Sequence, residues 1–420
     1  MAASSGTAPK PWVETPLIRS ASLSLTAGCN VYLKLETLQP SGSFKSRGIG
    51  NALLASILSK GSSKSVHFYC SSGGNAGLAC VAAATTLECR ATIVVPMSAP
   101  PLMIEKLEKL GADVRRKGTH WGQADAYLRE ELLAKDENGV YVPPFDHPDI
   151  WTGHATMVDE LEAQVGSEGY DAVVCSVGGG GLFSGIMQGL EQHGHLNGGK
   201  SKPIKVLAVE TKGADSLNLS VTSGKLLALP AITSIALSLG ATQVARKAFE
   251  WGMREEVTSV VLSDAEAAMA CVKFADDERI LVESSCGVSI ATAYTDTLHT
   301  ALFPSLSAIE FAKLNIVIVV CGGSNVNLQI LESYKKNYSH DPVVQERFYG
   351  RSRTQRESPA EPKVPFILHN EKEHKRGNML APGRNFEGDQ VIPKPAIGTM
   401  EQGEVERQIE EFGKVVLTKT

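Results

Sequence analysis

The chain has 420 residues, 43% of them hydrophobic and 21% charged, with a formal net charge of −5. That length allows one large or two medium domains with sizeable cores, and the charge gives no electrostatic reason to bind nucleic acid or a membrane surface. No apolar run approaches the ~18 residues needed to span a bilayer, and none of the eight cysteines forms a C-x-x-C pair, which argues for reduced thiols rather than a zinc or redox motif. In chain order, residues 1–11 are small and polar, with no charged-then-apolar leader, so a cytoplasmic protein is expected. The run Pro40-Ser41-Gly42-Ser43-Phe44-Lys45-Ser46-Arg47-Gly48 then sets one lysine among small and hydroxyl-bearing residues, directly after an aromatic. A lysine that forms a Schiff base must be reachable by a carbonyl and must shed its proton near neutral pH.

Residues 66–69 read as a strand and 78–86 as an alanine-rich helix, joined by Cys70-Ser71-Ser72-Gly73-Gly74-Asn75-Ala76-Gly77. Such a strand–turn–helix aims free N–H groups and the positive end of a helix dipole into a crevice, which suits a carboxylate. Residues 91–95 repeat the strand pattern. Residues 101–110 read as a helix with Pro101 in its first turn and Gly111 at its end. His147 and His154 flank a helical segment and are read as structural, since no H-E-x-x-H or comparable arrangement is present. The strand at 172–175 leads into Val177-Gly178-Gly179-Gly180-Gly181-Leu182 and a helix at 183–190. Four successive glycines leave only backbone donors, so a phosphate can come close at the helix start. The dinucleotide fingerprint G-x-G-x-x-G does not fit, because its sixth position falls on Phe183 or Ser184.

Gly194-His195-Leu196-Asn197-Gly198-Gly199-Lys200-Ser201 satisfies the P-loop pattern in letters, but a helix precedes it and a strand comes after. That polarity is the reverse of what the phosphate loop needs, so the stretch reads as a surface connection. Further strands are read at 206–209 and Val257–Leu262, and Ser263 with Glu266 has capping-box spacing. The very apolar run 314–320 ends in Cys321-Gly322-Gly323-Ser324-Asn325, placing a thiol where open α/β sheets bind ligands. Alternating strands and helices predict an α/β chain with mostly parallel sheets covered by helices. From Asp341 onward, seven of the 20 prolines and many charges of both signs predict a disordered tail, with a short charged helix near 401–420.

The lysine, serine–glycine, tetraglycine and cysteine segments, in this order, resemble the serine/threonine dehydratases among the fold-type II pyridoxal-phosphate (PLP) enzymes. The likeness runs over roughly residues 15–335. It implies a two-lobed, tryptophan synthase β-like architecture. Residues 1–41 would begin the large domain, 42–151 form the small domain, 152–340 the large PLP-binding domain, and 341–420 the tail. On this resemblance Lys45 carries PLP as a Schiff base and acts as general base, and Phe44 covers one ring face. Asn75 meets the ring hydroxyl, and Ser72, Gly73, Gly74 and Asn75 grip the substrate carboxylate. Gly178, Gly179, Gly180, Gly181 and Leu182 hold the phosphate, Ser238 lies against the ring face opposite Phe44, and Cys321 faces the pyridine nitrogen.

A thiol makes only a weak, neutral hydrogen bond, which favours elimination of a β-group over transamination. The implied reaction converts L-serine to pyruvate and ammonia, and also L-threonine to 2-oxobutanoate. The implied protein is a cytoplasmic homodimer whose partner is a small amino-acid substrate. A monovalent cation such as K+ would sit at Glu210, Ala214, Ser216 and Leu239. Gly73 stands where many relatives have alanine or serine, and Ser238 where alanine is expected, so rate or substrate preference is open. Serine racemase, a β-replacement synthase and a catalytically lapsed PLP-binding protein are the alternatives. No ACT-like regulatory module is recognisable.

Overall fold

A computed structural model describes residues 9–61, 66–196 and 203–350. The first strands, β1 (Leu17–Ser20) and β2 (Asn30–Leu35), pair antiparallel. Next come β3 (His67–Cys70), β4 (Arg90–Val95), β5 (Asp113–Arg116) and β6 (Gly139–Tyr141), a four-stranded parallel sheet in the order β5-β4-β3-β6. The remaining strands are β7 (Ala172–Ser176), β8 (Lys205–Thr211), β9 (Val257–Leu262) and β10 (Asn315–Val320). They join the first two in a six-stranded sheet, β1-β2-β10-β7-β8-β9, parallel except at β1.

Strand β10, Asn-Ile-Val-Ile-Val-Val, is buried from Ile316 to Val320 and lies between β2 and β7. A continuous β-branched run of this kind is what a parallel strand covered on both faces requires. Strand β5, Asp-Val-Arg-Arg, is a mostly exposed edge whose charges discourage further pairing.

Each sheet has its own apolar core. Leu33, Val174, Phe183, Leu207 and Ile318 belong to the one around the larger sheet. Ile49, Phe68, Leu78, Ile93 and Leu107 belong to the other. Helix Pro148–Val165 serves both, placing Ile150 in the smaller core and Met157, Val158 and Leu161 in the larger. The boundary expected at residue 151 therefore falls inside one continuous helix. A helix that contributes to two cores cannot be cut by composition alone.

The capping box at Ser263 forms both ways, with the Glu266 amide donating to Ser263 Oγ at 3.2 Å and the Ser263 amide donating to Glu266 Oε2 at 2.8 Å. One boundary needs correction. Asp341 opens a helical turn, accepting from the Val343 amide at 2.9 Å, and Val344 and Phe348 are buried. Arg347 donates to Glu266 and Thr297. The packed body thus reaches at least Phe348, because two apolar side chains at i and i+4 outweigh the polar surroundings that marked a tail. The rest of the expected tail, with its charged helix, lies outside the described residues, as do residues 197–201 of the rejected P-loop stretch. Helix Gly181–Gln192 stands before that stretch and β8 after it.

Candidate active site

Lys45 is the first residue of helix Lys45–Lys60. The turn before it is pinned to the end of β10: the Phe44 amide donates to Cys321 O at 3.1 Å, the Gly323 amide to Gly42 O at 3.0 Å, and Ser43 pairs with Gly322 in an isolated bridge. Gly322, at φ +85°, allows this close approach, because a Cβ there would lie 2.4 Å from Gly42 O. Two residues on, the fully buried Arg47 binds Glu36 at 2.8 Å and Glu160 at 2.6 Å, while Lys34 reaches Glu160 at 2.5 Å. This buried ion cluster ties the lysine helix to β2 and to helix Pro148–Val165.

Lys45 Nζ donates to Pro144 O at 2.6 Å and lies 5.2 Å from the Phe44 ring centroid. It keeps some access to solvent. Desolvation of the ammonium nevertheless pushes its pKa down to about 8, against the opposing pull of Cys70, Cys321 and Glu283. An amine in that range is available both to a carbonyl and to a proton.

Opposite stands the loop after β3. Ser71 Oγ donates to Asp125 Oδ1 at 2.7 Å, and Asp125 also accepts from Tyr141 at 2.8 Å, which fixes where the loop begins. The Gly74 amide donates to Ser72 Oγ at 3.3 Å, and helix Asn75–Thr86 starts at Asn75 with no side-chain cap. Its first amides are left for an anion. A Cβ on Gly77 would meet Ser72 O at 2.0 Å, a packing demand that spacing did not reveal. A Cβ on Gly73 would stand 3.0 Å from Val95, so glycine gives that loop some slack.

The glycine run precedes helix Gly181–Gln192, which Gly180, at φ +89°, caps without a side chain. Added Cβ atoms would lie 2.8 Å from Leu239 at Gly178, 2.3 Å from the Phe145 ring at Gly179 and 2.4 Å from Ala248 at Gly180. Hence the loop can thread between its neighbours only as bare backbone, with the helix N-terminus behind it and Leu182 buried. That is a fitting cradle for a phosphate. Phe145 adjoins Pro144, so the segment that receives Lys45 Nζ also flanks this cradle. No pattern in the sequence marks that segment.

Asn75 is the meeting point. Its Nδ2 donates to Glu283 Oε1 at 3.0 Å and to Ser238 Oγ at 3.2 Å, and its Oδ1 accepts from the Ser324 amide at 2.9 Å. Cys321 Sγ lies 3.4 Å from Ser176 Oγ at the ends of β10 and β7. The structure therefore gathers Phe44, Lys45, Asn75, Ser238 and Cys321 and adds Glu283, a buried carboxylate that sequence patterns did not single out.

Of the residues expected around a cation, Leu239 lies against Gly178 of the glycine loop. Glu210 accepts from the amides of Leu217 at 2.9 Å and Asn218 at 2.7 Å, and burial pushes its pKa up to about 8. Ser216 Oγ has no partner, and Ala214 and Leu239 are buried. His147 caps its helix. His154 is sealed beneath Phe44, 5.0 Å between ring centroids.

The sequence profile of the family described as "Pyridoxal-phosphate dependent enzyme" matches residues 10–322. The L-serine dehydratase/L-threonine deaminase of Bos taurus is 42% identical over 334 residues, spanning 79% of this chain and 98% of its own. A human protein named serine dehydratase-like is 43% identical over 328 residues, spanning 77% and 94%. Among solved structures, a fungal L-serine ammonia-lyase from Rhizomucor miehei aligns with TM-score 0.71 and 35% identity over 79% of this chain and all of its own. Maize serine racemase aligns with TM-score 0.65 and 27% identity over 78% and 94%. A profile match across most of the chain and relatives of this similarity agree with the lysine, the glycine cradle and the thiol: the chain belongs to the family of pyridoxal-phosphate dependent enzymes.

Proposed function

We propose that the protein is an L-serine ammonia-lyase that yields pyruvate and ammonia and also accepts L-threonine. The observation that carries this is Lys45 Nζ, an amine with its pKa near 8, within one crevice with Asn75 and Cys321. PLP, when bound, supplies the electron sink. The amides at Gly178–Gly181 would hold its phosphate, Lys45 its aldehyde carbon, Asn75 its ring hydroxyl and Cys321 its ring nitrogen.

The protein's own contribution is position and proton handling. Ser72 and the amides around Gly74 and Asn75 orient the substrate carboxylate. Lys45, neutral above about pH 8, takes the α-proton. Cys321 offers no full charge to the ring nitrogen, so departure of the β-hydroxyl is favoured over transamination. Two named relatives, the bovine dehydratase and the fungal lyase, support this over racemisation.

The same reading includes a homodimer in the cytoplasm and a monovalent cation held by Glu210, Ala214, Ser216 and Leu239. The unpartnered Ser216 hydroxyl beside a buried carboxylate fits such an ion. Among the described residues no helix is long and apolar enough to cross a membrane. Purified protein with PLP should form pyruvate from L-serine, and failure to form a 2-oxo acid from either amino acid would sink the proposal. Formation of D-serine instead would favour the racemase reading.

A further inference from the structure

Glu283 occupies the N-cap position of helix Ser284–Tyr294, yet its side chain does not cap that helix. The carboxylate turns the other way, into the crevice, and is 4% exposed. Oε1 accepts from Asn75 Nδ2 at 3.0 Å, and Oε2 from the Asn325 amide at 3.2 Å. Burial raises the Glu283 pKa, and hydrogen bonds from Ser238, Asn75 and the Asn325 amide, with the charge of Lys106 nearby, oppose that rise, so holding the carboxylate here costs desolvation energy. The surroundings are shaped to admit it. Gly323, at φ +117°, would bring a Cβ within 2.1 Å of Glu283 Cδ. Lys106 donates to the carbonyl of the neighbouring Ser324 and acts on Glu283 through space.

Asn75 has two N–H bonds and one acceptor oxygen. Ser324 occupies the oxygen and Glu283 takes one N–H, which fixes the plane and the flip of the amide. The second N–H points toward Ser238 at 3.2 Å and is the one free to change partner. We propose that Glu283 is a positioning residue: by anchoring the Asn75 amide it aims that second N–H at the ring hydroxyl of the cofactor. This rests on the PLP reading of the site.

The test is a double-mutant cycle on PLP binding by apo-protein, followed by absorbance, with wild type, Glu283→Gln, Asn75→Ala and the double variant. In the Gln variant an amide must face both Asn75 and the Asn325 N–H, so one contact becomes donor against donor. Each single change should weaken PLP binding about tenfold or more, as loss of a hydrogen bond to a charged group does. The double variant should be little worse than Asn75→Ala. With PLP methylated on its ring hydroxyl, wild type and Glu283→Gln should bind with similar affinity, a response that mere loss of packing does not give. Effects that multiply independently, or an equal loss with the methylated cofactor, overturn the inference. Glu283→Asp, which keeps the charge but draws it back by one methylene, enters the same cycle and decides the matter if the Gln variant does not fold. Should wild type itself show no Schiff-base absorbance with PLP, the functional reading fails before this one is reached.

Discussion

The amide of Phe44 donates to the carbonyl oxygen of Cys321 at 3.1 Å, so one backbone hydrogen bond joins the residue before Lys45 to the cysteine that follows β10. The bond joins two distant parts of the sequence, and it sets Phe44 and Cys321, proposed above to cover the cofactor ring and to face its nitrogen, in one frame. Both ends of that frame are backbone, which makes it insensitive to most side-chain changes. The side chains it carries are where substitutions will tell.

Replacement Lys45→Ala should remove the Schiff-base absorbance and stop 2-oxo acid formation. The loss should exceed the ~10²–10⁴-fold expected of a single general base, because covalent anchoring of the cofactor goes too. Retention of the absorbance band would place the attachment elsewhere.

Burial holds Lys45 down at about 8, and the neutral amine is the form that attacks an aldehyde. Below that pH the site carries an ammonium, above it an amine. The rate at which apo-protein captures PLP should therefore rise from pH 6.5 to about 8 and level off well below the ~10.4 of an ordinary lysine. Stopped-flow absorbance measures this, and a rate still climbing steeply at pH 10 would contradict it.

Gly179→Ala would push a methyl into the Phe145 ring, 2.3 Å away. Overpacking of this kind costs ~1–3 kcal/mol and shifts backbone. The expected outcome is weaker PLP binding, by about tenfold or more, in a protein that still folds; calorimetric titration of apo-protein is the check.

Arg47 touches the buried Glu36 and the half-buried Glu160, and Arg47→Met would leave Glu36 without its cation while Glu160 keeps Lys34. Breaking a buried pair on one side costs ~3–5 kcal/mol. Chemical denaturation should show a loss of that order, whereas a surface change such as Arg115→Met should cost little.

Truncation should separate two boundaries. Removing residues 351–420 should leave turnover and PLP binding nearly unchanged, since every site segment ends by Asn325. Removing 341–420 also takes away Val344 and Phe348, and deleting a buried aromatic alone costs ~3–5 kcal/mol. A shorter chain as stable as the longer one would show that this turn contributes nothing.

Much of the site could be read from the residues because each segment has a local reason for its letters. Glycine at 178–181 and the apolar run into Cys321 advertise a bare-backbone loop and a buried strand before any fold is known. What stayed hidden depends on partners distant in sequence. Glu283 sits in Val-Glu-Ser-Ser, with no periodicity or spacing to mark it, and gains meaning only when Asn75 and Asn325 arrive from other segments of the chain. Strands β5 and β6 escaped for the opposite reason. Their exposed or half-buried residues carry no apolar alternation, and only pairing with β4 and β3 makes them strands. Pro144 and Phe145 matter through one carbonyl and one ring edge, and neither leaves a trace in composition.

The bridge between Ser43 and Gly322 also bears on how the protein is made. Lys45 leaves the ribosome early, while the strand that seats it emerges only after almost all the rest of the body. A nascent chain that stops short of Cys321 lacks the partners that Phe44 and Gly42 find at Cys321 and Gly323, so this frame cannot close before then. On the proposed reading, cofactor capture would then require chains translated through β10, and a closure of such long sequence separation comes late in folding. A truncated product of interrupted translation would expose the lysine without the pocket that directs its reactivity.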